Sequence, residues 1–120
     1  MKILLFLVPG LSLVSCSSSG PHLQCPDPAE VAPASVGGAE AVRALTPRLA
    51  GPDRENVISE AVHSLRASDP SLSQDAIADI LIAADCPNVA GDPALDGRAQ
   101  ARRMADLRGE IESVLSVVAP

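Results

Sequence analysis

The 120-residue chain has no Trp and no Tyr, and only one Phe and one Lys. Phe6 and Lys2 both lie within the first ten residues, so the rest of the chain has neither. Without aromatic side chains there is no platform on which nucleic-acid bases can stack. Sugar-binding faces are missing for the same reason. Cations are scarce too: 9 Lys and Arg stand against 15 Asp and Glu, a net charge of −6. Nucleic acid needs a basic footprint, which this balance does not supply. A basic partner protein is attracted by the same balance. No apolar run approaches the roughly 20 residues of a transmembrane helix. The chain contains no G-x-S-x-G, no phosphate loop, no H-E-x-x-H and no C-x-x-C. Nothing in it therefore points to a nucleophile elbow, a nucleotide cradle or a protease zinc site. No catalytic residue is expected, and no cofactor.

What is present begins with a leader. Met1-Lys2 is a short basic start, Ile3 to Val8 is continuously apolar, and Pro9-Gly10 breaks the run before Leu11, Leu13 and Val14 resume it. A charged start, a short apolar core and small residues after it read as a cleaved export signal. A buried helix is disfavoured by Pro9-Gly10, because both residues break helices. The cut site is more specific. Leu13-Val14-Ser15-Cys16 resembles the lipobox of bacterial lipoproteins, a resemblance confined to residues 1–16. It implies that the Cys16 thiol is acylated and that the signal is cut just before it. The competing reading is ordinary cleavage among Ser17-Ser18-Ser19-Gly20, which removes Cys16 and releases a soluble protein. In that family the residue after the Cys influences sorting. Ser17, in place of a retaining Asp, leans towards the outer membrane facing the periplasm in a Gram-negative host.

Cysteine arithmetic follows. With Cys16 lipidated or removed, Cys25 and Cys86 are the two that remain. In an oxidising compartment such a pair is expected to form a disulfide. The bond closes a loop of about 60 residues and contributes roughly 4 kcal/mol on the chain-entropy model. A small domain with an aliphatic core has reason to use such a staple. Residues 17–37 are rich in Ser, Pro, Gly and Ala and read as an extended tether. Pinning Cys25 shortens the free part to residues 17–24, about 28 Å at full extension. The chain thus divides into a signal peptide (1–15), a lipid-anchored tether (16–37) and a helical domain (38–120).

Four helical segments are predicted in that domain. Residues 38–50 form a weak first helix, with Ala39, Ala41, Val42 and Leu45 on one face and Pro47 stopping or kinking it. Gly51-Pro52-Asp53 opens a second, whose Val57, Ile58, Ala61, Val62 and Leu65 share one face. The third starts after Leu72-Ser73, with Ser73 as N-cap and Leu72 and Ile77 as a hydrophobic staple. Its apolar face is Ala76, Ile77, Ile80, Leu81 and Ala84, with Asp75, Asp79 and Asp85 on the other side. Cys86-Pro87 is expected to close it, since a residue before Pro avoids the helical region. After a loop over 87–97, the last helix runs from about Arg98 to Val118. With no convincing strand, the expected fold is all-α: a small bundle of three to four helices, disulfide-stapled behind its tether.

The last helix carries a heptad seam: Met104, Leu107, Ile111, Val114 and Val118, with Leu115 alongside. Such a face either closes a bundle or meets a partner, another copy of the chain included. Arg102/Asp106 and Arg108/Glu112 are i, i+4 pairs on its flank. A metal site is the alternative use of the cysteines. His22, Cys25, His63 and Cys86 supply four ligand types that zinc or copper accepts. Their spacing is arbitrary, and a disulfide with two solvated histidines competes with it. Asp92 to Gly97 briefly resembles a calcium loop, but Ala94 and Arg103 stand where ligands are required. Asp96 reads instead as the cap of the last helix. Asp75 and Asp79 read as a solvated face, as do Arg98, Arg102 and Arg103.

Two functions follow as expectations. One is a non-catalytic lipoprotein of the cell envelope, held at a membrane by its N-terminal lipid and serving as adaptor, assembly factor or inhibitor for another envelope protein. The alternative is a periplasmic metal-handling or redox protein using Cys25, Cys86 and nearby His.

Overall fold

The computed structural model describes residues 23–118. The signal, Cys16 and His22 lie outside the described residues. Within them the fold is all-α and carries the expected staple: Cys25 and Cys86 are disulfide-bonded, with their Cα atoms 5.5 Å apart. Five α-helices occur in order: α1 (Pro28–Val31), α2 (Gly38–Leu49), α3 (Arg54–Ser68), α4 (Gln74–Ala90) and α5 (Gly97–Val117). A short 3₁₀ turn, Ala34–Val36, separates the first two.

The four long helices fall where the sequence places them, with their start signals in use. Ser73 Oγ accepts the Ala76 amide at 3.1 Å and Asp96 Oδ1 accepts the Ala99 amide at 2.8 Å. Each satisfies one of the amides that a helix start leaves orphaned. The segment expected to be extended tether is not extended throughout. Asp27 caps Ala29 at 2.9 Å and Pro28 occupies the first turn, which produces α1. A proline there loses nothing, since its missing N–H belongs to an orphan position.

α4 is the centre of the fold, packed against α1, α2, α3 and α5. Its apolar residues run almost all the way round, and Ile77, Ala78, Ile80, Leu81, Ala83 and Ala84 are all buried. That is the pattern of a helix with no water-facing side over most of its length. The expected face of α3 is wholly buried: Val57, Ile58, Ala61, Val62 and Leu65. With no Phe, Tyr or Trp among the described residues, the core fills with Leu, Ile, Val and Ala. Full burial of one such branched side chain stabilises by about 1.5–3 kcal/mol.

Two expectations are corrected here. Asp85 is not on a polar face: it is completely buried. Pro87 does not close α4, which continues to Ala90 with the Gly91 amide bonded to the Pro87 carbonyl at 2.9 Å. α2 likewise holds a proline, Pro47, in its own last turn. Each proline lacks the N–H that would bond the carbonyl four residues earlier. The two damaged helix ends brace each other. Thr46 Oγ1 donates to the Ala84 carbonyl at 2.6 Å, and Asn88 Nδ2 donates to the Thr46 carbonyl at 2.8 Å.

Candidate functional site

The most unusual chemistry in the described residues surrounds Asp85. Its Oδ1 accepts from Asn88 Nδ2 at 2.8 Å, and its Oδ2 lies 3.0 Å from Arg54 Nη1. That second contact is not an aligned hydrogen bond, so charge holds the pair together. Arg54 is itself mostly buried, with 16% of its side chain exposed. Its Nε reaches Glu110 Oε2 on α5 at 3.3 Å. The chain Glu110–Arg54–Asp85–Asn88–Thr46 thus ties α5, α3, α4 and α2 through polar groups. A buried charge pair costs desolvation, and removing one partner is far more costly than removing both.

The network forms one wall of an open cleft of about 420 Å³. Leu49, Val89 and Leu95 supply apolar surface, and Arg103 stands in the lining with no carboxylate partner among the described residues. The cleft contains no Ser, Thr, Cys or His. Both of Arg54's carboxylate neighbours belong to the protein. This arrangement fixes helix ends.

The residues singled out in the sequence are scattered. Cys25 is exposed and Cys86 buried, and their bond occupies both thiols, so neither serves as a metal ligand in this form. His63 is exposed on α3, beside a shallow groove with Arg66, Pro70 and Val118. Among the described residues no three His, Cys, Asp or Glu side chains are grouped for a metal ion. Asp75 and Asp79 are exposed. Arg108 reaches across to Asp79 on α4 at 3.6 Å instead of pairing with Glu112.

The α5 seam, open in the sequence between closing the bundle and meeting a partner, lies against the core. Leu107 and Ile111 are completely buried, and Met104, Val114 and Val118 pack half-buried against the same core. α5 turns this face inward because α3 and α4 supply the apolar surface that covers it. Among the described residues, Val117 is the one large hydrophobic side chain left exposed, at 80%.

The buried charges missed in the sequence are Arg54 and Asp85. A signal was available for Arg54, a cation in the first turn of α3, where the helix dipole disfavours it. The Asp85 carboxylate, brought there from α4, neutralises it.

No family model, no curated protein and no solved structure matches the chain.

Proposed function

We propose that this protein is a non-catalytic, lipid-anchored binding module of the bacterial cell envelope. The observation that carries the reading is the Cys25–Cys86 disulfide. A structural disulfide suits an oxidising compartment, in keeping with an exported chain. It also accounts for two of the 3 cysteines and leaves Cys16, at the end of the leader, as the one without an intramolecular role. An odd cysteine in an exported chain calls for a separate use, and acylation at the lipobox supplies one. In a Gram-negative host, Ser17 then directs the anchored protein to the outer membrane, facing the periplasm.

The binding role rests on charge. The apolar residues of α5 are committed to the core, so a partner meets a polar, acidic surface. Glu40, Glu55, Glu60, Asp75, Asp79 and Glu112 all lie exposed. A basic envelope protein, or a basic face of one, is the complement.

Intact-mass spectrometry of the full chain expressed in a Gram-negative host tests the anchor. The expected mature chain begins at Cys16 and carries acyl mass there, and a Cys16→Ala chain carries none. Cleavage among residues 17–20 would refute the anchor. Cross-linking in intact envelopes tests the binding role, with a recurring basic partner expected at low salt and weakened at high salt. Recovery of none in repeated trials removes that role.

A further inference from the structure

We propose that residues 23–36 form a strap that the Cys25–Cys86 disulfide holds closed and that a dithiol reductant releases, leaving the four long helices folded. Three independent observations carry this. The first is how little the strap contributes to the core. Neither α1 nor the 3₁₀ turn contains a buried residue; Ala32 is the strap's one buried side chain, with Val31 and Val36 packed in part. Every other member of the buried cluster comes from α2, α3, α4 and α5. Besides its disulfide, the strap's side chains make one hydrogen bond to the body, an exposed contact from Ser35 Oγ to Asp69 Oδ2 at 2.7 Å.

The second is a pivot. The strap joins α2 through Gly37 and Gly38, whose φ angles are +100° and +65°. Two consecutive residues in the left-handed region are available only because both are glycine. A chain that turns there is free to take other backbone angles at small cost once its far end is untied.

The third is the asymmetry of the bond. Cys25 is exposed on the strap, whereas Cys86 is 1% exposed in α4. An incoming thiolate therefore attacks Cys25 Sγ, forming a mixed disulfide there and expelling Cys86 as thiolate, which takes up a proton. The second thiol of the reductant attacks its own sulfur in the mixed disulfide and expels Cys25 as a thiol. Two electrons and two protons pass to the protein, and the reductant leaves as a disulfide.

Release changes reach. On the anchored reading proposed above, which this consequence rests on, the stretch of sequence between Cys16 and the first point fixed to the body grows from residues 17–24 to residues 17–37. Its full extension rises from about 28 Å to about 70 Å. The bond thereby sets how far from the membrane the domain can find a partner.

Hydrogen–deuterium exchange of the full chain in detergent micelles, oxidised against dithiothreitol-reduced, tests the strap. Reduction is expected to bring residues 25–37 to the exchange of free chain while α2 to α5 stay protected, their slowest amides faster only by the stability the bond gives the whole domain. Iodoacetamide should then label Cys25 first and Cys86 after it. A Cys25→Ser chain should show the released pattern without reductant. Loss of protection across α2 to α5, or an unfolded Cys25→Ser chain, would make the bond a staple of the whole fold and overturn the proposal. Unchanged exchange in 25–37 with Cys86 unlabelled would overturn it too, because the strap would then stay docked without its bond. The pattern does not depend on acyl mass at Cys16, so a failed anchor and a failed strap are told apart.

Discussion

Arg54→Ala is the substitution that tests the buried network most directly. It leaves Asp85, with no exposed surface, holding one side-chain partner, Asn88 Nδ2 at 2.8 Å. Stranding a buried charge in this way costs about 3–5 kcal/mol. The lost contact to Glu110, which is 35% exposed, adds less than about 1 kcal/mol. Domains of this size have a total stability of about 5–15 kcal/mol, so the expected loss is a large share of the whole. Removing both charges behaves differently. Arg54→Met with Asp85→Leu replaces the pair by apolar volume and should recover most of the loss, since such replacements are often neutral or stabilising. Urea unfolding followed by far-ultraviolet circular dichroism measures both, because the chain has no Trp or Tyr to report by fluorescence. A cost within about 1 kcal/mol of zero for Arg54→Ala would refute the reasoning, that being the ordinary range of an exposed pair. So would a double variant no more stable than the single one.

Further outcomes are expected elsewhere. Leu107→Ala and Ile111→Ala should each cost about 2–5 kcal/mol in the same urea titration, as buried truncations do. Val117→Asp, at the exposed end of α5, should stay within about 0.5 kcal/mol of wild type; the reverse ranking would return the seam to a partner-facing role. Gly37→Ala should destabilise by about 1 kcal/mol or more, because φ is +100° and the added methyl meets Ala41 Cβ at 2.9 Å. Asp69 accepts hydrogen bonds from the Ser71 hydroxyl, the Ser35 hydroxyl and the Ser71 amide, which hold its carboxyl below the usual Asp value. A lowered folded value stabilises above the unfolded one and is lost as pH falls through the folded value. Melting curves of wild type and Asp69→Ala should therefore differ near neutral pH and converge in acid; a gap that widens in acid contradicts the assignment.

The helices of this protein are legible in its sequence because their signals are local. The α3 face repeats at helical spacing, and Ser73 and Asp96 announce their helices a residue before they start. α4 was harder to read. Its apolar residues cover nearly the whole surface, so periodicity alone does not show which side faces water. Pro87 and Asp85 mislead for a common reason. A proline reads as an end, and a carboxylate as an exposed face, when only the nearby chain is considered. What overrides both lies about 40 residues upstream for Thr46 and about 30 for Arg54, beyond any local window. α5 is ambiguous in another sense. Its seam is clear, but a seam does not say whether its cover comes from the same chain or another.

The disulfide has a consequence for covalent topology. Residues 25–86 form a closed ring that contains α1, α2, α3 and most of α4, and α5 hangs outside it as a tail. A protease that cuts the Gly51–Asp53 turn opens the ring but separates nothing, because the bond still joins the two pieces. A cut in the exposed Gly91–Ala94 loop does the opposite. It leaves the ring whole and sets α5 free of it, held by noncovalent contacts alone: the buried side chains of Leu107, Ile111 and Leu115 and the ion pairs of Glu110 and Arg108.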